Sequence, residues 1–293
     1  MLSLRTTALR ISLGIAFSTL AIAGCTQTPP EIMAVDSGVN VMPDMVIPLT
    51  NAEVRFGNFV AGAAPVDLCV KGSGDPDFRG PLLRTMAQRP GGVAYLNMGQ
   101  YLTLTAGNYT VRAVPGSRSD CTVAYGGLPD LGLPPIGAGR TYTLVPFGDQ
   151  SRPGTVKINL FEDDLTSQGG QVRMRFINAS PDVPTADFGF GIGASYQALL
   201  TDAVSGNLGR GGGMTYVSTG PQTGSSASVR PSGMTTDLLT VKSTITIPSG
   251  AVITALIAGL PSKVGTDPLA LKLISCDDSK PPQSGLSVCT QLN

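Results

Sequence analysis

Residues Val54 to Val70 read VRFGNFVAGAAPVDLCV, and Met174 to Phe190 read MRFINASPDVPTADFGF. Slid by 120 positions without a gap, Arg55 falls on Arg175, Phe56 on Phe176, Asn58 on Asn178 and Asp67 on Asp187. A chain that writes one pattern twice is expected to fold one unit twice. Within each copy, apolar residues alternate with others on either side of a Gly- or Pro-containing turn. That period of two is the signature of β-strands with one buried face.

The repetition continues downstream. Ala138-Gly139-Arg-Thr-Tyr142-Thr143 matches Ser249-Gly250-Ala-Val-Ile253-Thr254 at an offset of 111. Ile158 to Asp164 matches Lys272 to Asp278 at an offset of 114, so that Asp163-Asp164 falls on Asp277-Asp278. Changing offsets are what loops of different length produce in a duplicated fold. Leu102 to Leu104, a Thr-Ala-Gly turn and Tyr109 to Arg112 read as a hairpin. Ile136, Gly139 and Tyr142 resemble the tyrosine corner of immunoglobulin-like sandwiches, in which a hydroxyl ties the chain to backbone a few residues upstream. Ser205 to Thr235 is Gly/Ser-rich and is expected to form long mobile loops around one or two short strands. With 37 Gly, 23 Pro and many short apolar runs, the composition points to an all-β protein.

Arg-Phe-x-Asn, then Ala179-Ser180-Pro181-Asp182-x-Pro184-x-x-Asp187, then Ala138-Gly139-x-x-Tyr142-Thr143-Leu144-Val145 and a closing acidic pair resemble a bacterial family of surface and lipoprotein domains, the domain of unknown function DUF4397. The resemblance covers about 51–165 and 171–278. It implies a β-sandwich outside the cytoplasm and brings no established activity. The expected architecture is two tandem immunoglobulin-like, Greek-key β-sandwiches, residues 51–165 and 170–293, after a signal peptide at 1–24 and a Pro-rich tether at 25–50.

The signal peptide is read from Arg5 and Arg10, the apolar run Ile11 to Ala23, and Ile22-Ala23-Gly24-Cys25, which resembles a lipobox. Cleavage before Cys25 and acylation of its thiol, with palmitate-type chains, would anchor the chain to a membrane. Thr26 rather than Asp at the next position favours the outer membrane of a Gram-negative cell. Four cysteines remain, which allows three pairings. Cys69 and Cys121 both lack counterparts in the second copy, which favours Cys69–Cys121 with Cys276–Cys289.

The chain has no histidine, which removes Ser-His-Asp and Cys-His catalysis and the usual zinc sites. A formal charge of zero and 14% charged residues argue against a nucleic-acid binder, which needs a basic patch. No catalytic, cofactor or metal residue is expected. Glu162-Asp163-Asp164 and Asp75-Pro76-Asp77 have calcium-like composition but read better as turn or edge devices. Arg55 with Asp67, and Arg175 with Asp187, are expected to pair across an outer sheet face. The functional expectation is a non-enzymatic lipoprotein of the cell envelope that presents a binding or structural surface through its end loops to an envelope protein or polysaccharide. The alternative is a carbohydrate-active or other hydrolase with paired carboxylates, drawing on Asp67, Asp75 or Asp163.

Overall fold

The computed structural model describes residues 50–126, 128–210, 213–280 and 286–292. The expected signal peptide, Cys25 and almost all of the expected tether lie outside the described residues. The chain forms two β-sandwiches within one compact unit.

The first sandwich uses β1 (Asn51–Ala61), β2 (Val66–Gly72), β3 (Asn97–Met98), β4 (Leu102–Thr105), β5 (Tyr109–Pro115), β6 (Leu131–Gly132), β7 (Thr141–Asp149) and β8 (Lys157–Asp163). One sheet runs β3-β1-β7-β8, with β4 also on β1; the other runs β2-β5-β6. A short helix, α1 (Leu82–Met86), follows β2. The second sandwich uses β9 (Val172–Asn178), β10 (Thr185–Phe190), β11 (Gln197–Val204), β12 (Asn207–Leu208), β13 (Val217–Thr219), β14 (Gln222–Pro231), β15 (Leu239–Ile247), β16 (Val252–Ala258), β17 (Lys272–Asp277) and β18 (Val288–Gln291). Its sheets run β12-β9-β16-β17-β18, with β13 on β9, and β11-β10-β14-β15.

At the centre of each larger sheet lies a parallel pair, β1 with β7 and β9 with β16. These four strands are buried on both faces. Even-numbered Val54, Phe56 and Val60 of β1, with Tyr142 and Leu144 of β7, enter the core of the first sandwich. The odd-numbered Phe59, Val145 and Phe147 meet Ile177, Leu256 and Ile274 of the second sandwich in a separate apolar cluster. The two larger sheets therefore pack on each other and give four layers. Strands buried on both sides lose simple apolar-polar alternation, which is why VITALIA in β16 is apolar at six of seven positions.

Three expectations change. Residues 102–112 do not form a hairpin: β4 pairs with β1 and β5 with β2, so the chain crosses between sheets at Ala106 to Asn108. Leu102, Leu104, Tyr109 and Val111 then face one core from opposite sides, and the Tyr109 hydroxyl closes the corner on the Thr105 carbonyl at 2.7 Å. The Gly/Ser-rich stretch contains the ten-residue β14, paired on both edges. Its Ala227 and Val229 still alternate into the core, so small residues hid a central strand. The sequence offset of 114 at the last strands is one residue short. Thr143 pairs with Phe161 and Thr254 with Cys276, so the counterpart of Asp163 is Asp278 rather than Asp277. A one-residue slip in a strand swaps its faces, and the adjacent acids Asp163-Asp164 and Asp277-Asp278 concealed it.

Other features follow the sequence. The Tyr142 hydroxyl accepts the Gly137 N–H at 3.0 Å, the geometry of a tyrosine corner. Cys69 is bonded to Cys121, and Cys276 to Cys289 on neighbouring strands.

Candidate functional site

The contact between the sandwiches is polar at one end, apolar in the middle and open at the other end. At the polar end Arg55 lies beside Thr143 in the β1–β7 register, and Arg175 beside Thr254 in the β9–β16 register. Both arginines are fully buried. Each pairs with an acid from the other sandwich. Arg55 Nη1 donates to Asp278 Oδ1 at 2.6 Å, and Arg175 Nη1 to Asp163 Oδ1 at 2.5 Å. Arg55 Nε donates to Thr143 Oγ1 at 2.9 Å, and Arg175 Nε to Thr254 Oγ1 at 2.8 Å. Thr143 then donates to Asp163 at 2.6 Å and Thr254 to Asp278 at 2.5 Å. The result is an approximately two-fold exchange in which every charge has an opposite partner, the condition for burying ions at tolerable cost.

Aromatic rings close the two mouths. The Arg55 guanidinium lies 4.5 Å from the Tyr101 ring centre, and Arg175 lies 5.3 Å from that of Tyr216. The Tyr101 hydroxyl donates to Asp163 at 2.6 Å. Burial alone would push the Asp163 carboxyl up, but Arg175 and Arg55, with hydrogen bonds from Thr143 and Tyr101, hold it below the usual carboxylate range. Burial raises both phenols, that of Tyr216 to about 12.

Arg55 and Asp67 do not pair, nor do Arg175 and Asp187. β1 and β2 belong to different sheets, so Arg55 faces the second sandwich while Asp67 faces away from it. The Asp67 carboxylate accepts N–H groups of Leu68, Leu83 and Arg84, which fixes α1 over the sheet. Burial nonetheless pushes that carboxyl up. Asp187 accepts from the Asp202 N–H and the Ser232 hydroxyl. Asp163 is not an edge device; it is the counter-ion of Arg175. Glu162 pairs with Arg140, and Asp164 with Arg173 at 2.6 Å. Asp75 behaves as a turn residue, accepting the Gly72 N–H at 3.0 Å and pairing with Arg79. Among the described residues no cluster of three acidic or cysteine side chains could hold a metal ion.

At the open end, four connections converge on a cleft of about 640 Å³. They are the β1–β2 turn at Gly62, the β7–β8 loop at Asp149 to Arg152, the β9–β10 turn at Asp182 and the β16–β17 loop at Leu260 to Lys263. Its floor is a clamp across the sandwiches. Arg152 Nε donates to Asp149 at 2.8 Å, and its Nη2 to Asp182 at 2.7 Å. Burial would raise the Asp149 carboxyl; donors from Ser151 and Arg152 bring it below the usual range instead. The turns are themselves braced. Asn58 Nδ2 donates to the Ala64 and Val93 carbonyls, and Asn178 Nδ2 to those of Val183 and Ala203. The shared Asn of Arg-Phe-x-Asn thus pins the turn in each half.

Residues 52–189 match the family model of the domain of unknown function DUF4397. The matched segment, a little under half of the chain, runs from the second residue of β1 through β9 and most of β10, and so takes in Arg55, Thr143, Asp163 and Arg175. No curated protein matches the chain. Two solved structures are similar over 80% of this chain and 99% of their own. One is a family 26 carbohydrate-binding module of Eubacterium rectale Amy13K, in complex with maltoheptaose, at 11% identity and a TM-score of 0.21. The other is a candidate cell adhesion protein of Bacteroides fragilis, at 10% identity and a TM-score of 0.18. Likenesses this distant carry no functional argument.

Sequence reasoning misses Thr143, Thr254 and Tyr101 as members of the site. The two threonines carry a signal, since they occupy matching positions of the repeat. Tyr101 carries none.

Proposed function

We propose that this chain is a non-enzymatic lipoprotein of the cell envelope. On this reading residues 51–165 and 170–293 are two copies of one domain. The tether at 25–50 joins them to acyl chains on Cys25 in the outer membrane. The double sandwich presents a binding or structural surface to an envelope protein or polysaccharide, with the interdomain cleft as one contact region.

The observation that carries this reading is the exchanged pairing of Arg55 with Asp278 and Arg175 with Asp163. It supports duplication, because equivalent residues perform equivalent tasks in the two halves. It also counts against a hydrolase of paired carboxylates, which needs an acid of raised pKa facing a free carboxylate. Asp163 is shifted down and committed to Arg175. Asp67 is shifted up but spends its oxygens on α1.

Cells grown with labelled palmitate test the anchor. The chain should carry the label and fractionate with the outer membrane, whereas Cys25→Ser should be unlabelled and released. An unlabelled wild-type chain would sink the lipoprotein reading, and turnover of any polysaccharide by the purified chain would sink the non-enzymatic one.

A further inference from the structure

The outer face of the β2-β5-β6 sheet carries a groove of about 560 Å³, with Lys71, Asp77, Phe78, Arg112, Asp120 and Thr122 in its lining. Arg112 stands on β5 and points away from the core. Its guanidinium is held on three sides: Nε and Nη2 donate to Asp130 at 2.8 and 2.7 Å, and Nη1 to the Cys121 carbonyl at 2.9 Å. Cys121 is in turn bonded to Cys69 on β2, which ties the groove wall to the sheet. The Phe78 ring lies on this plate, 4.1 Å from the guanidinium carbon to the ring centre. Three of the five guanidinium N–H groups are spent inside the protein, and the plate they fix serves to hold the ring. Lys71 and Asp77 are both in the groove lining, and Asp77 is exposed.

We propose that this groove is a saccharide-binding site, with Phe78 taking the C–H face of a pyranose ring and Asp77 and Lys71 hydrogen-bonding its hydroxyls. A sugar ring combines an apolar face with a rim of groups that both donate and accept. A fixed aromatic ring beside one carboxylate and one ammonium answers each part. The acids Asp77 and Asp120 balance the nearby cations, so the chemistry suits a neutral saccharide better than a strongly anionic one. Pre-fixing the ring and wall removes much of the ordering cost of binding. Arg112 is a positioning residue here, and the site rests on the binding-protein reading above while naming its ligand class.

The test titrates the chain without its anchor, residues 26–293, with panels of neutral and uronic-acid oligosaccharides and with peptides, followed by calorimetry and NMR. A neutral oligosaccharide should bind saturably. Phe78→Ala should weaken it about tenfold, as expected for loss of an aromatic contact. Asp77→Asn, at an exposed position where folding is not at risk, should weaken it similarly, and Lys157→Ala should leave it unchanged. Binding to no saccharide, to uronic acids or peptides alone, or with indifference to both Phe78→Ala and Asp77→Asn, overturns the site and leaves the binding-protein reading standing. Cleavage of the oligosaccharide overturns that reading instead.

Discussion

Arg175 crosses the contact between the sandwiches to its counter-ion Asp163. Replaced by Met, it would leave Asp163 buried with its direct partner gone, and breaking a buried pair from one side costs about 3–5 kcal/mol. Urea denaturation of Arg175→Met should show a loss of that size. Arg175→Met combined with Asp163→Leu should recover most of it, because two apolar groups need no counter-charge. The same pair sets an acid limit. The Asp163 carboxyl lies below its usual value in the folded chain, so its contribution is complete above the unfolded value of about 3.9 and is lost as pH falls below it. Denaturation midpoints should therefore drop on acidification below about pH 4, and Asp163→Asn should have a shallower drop than wild type. Asp149 and Asp164 are shifted the same way and keep the drop from vanishing.

Among the elements, the governing constraint is that β1, β7, β9 and β16 have no solvent face. Phe147 of β7 reaches across the contact to Gly206, where a Cβ would sit 2.0 Å from the ring. Gly206 also needs a positive φ of 77°, so the position admits glycine alone. Gly206→Ala should lower the thermal midpoint clearly. Gly213 is the control, because it shares the positive φ but has no atom near its Cβ position. Gly213→Ala should show only the smaller loss set by its backbone angle, and an equal loss at both positions would mean that the Phe147 contact is not what excludes a side chain from 206. The alternation VRFGNFVA was legible as a strand, and the Asn at its centre as a shared feature. Its second buried face was not, because an arginine inside a strand reads as an outward residue until a counter-ion arrives from elsewhere in the chain.

Among the described residues the two sandwiches are joined by an apolar cluster, the exchanged arginine pairs and the Arg152 clamp, which all cross between them. A protease site inserted between Ser167 and Gln168, then cut in the folded protein, should leave two fragments that co-elute on gel filtration in native buffer. Separation of the fragments would show that the covalent linker, rather than the contact, holds them.

Most strands, the all-β class, the repetition and the residues that recur in it were written in the chain itself, since they follow from period-two patterning and turn chemistry within short windows. The pairing of the cysteines was also visible there, since the positions that repeat Cys69 and Cys121 in the second half of the sequence carry no cysteine. Spacing did not assign Arg55 to Asp278, 223 residues away, and the 12 residues between Asp163 and Arg175 are matched by the spacing of Arg175 to Asp187, which do not pair. Charge pairing depends on which faces meet, and two sheet faces meet only after both sandwiches have formed.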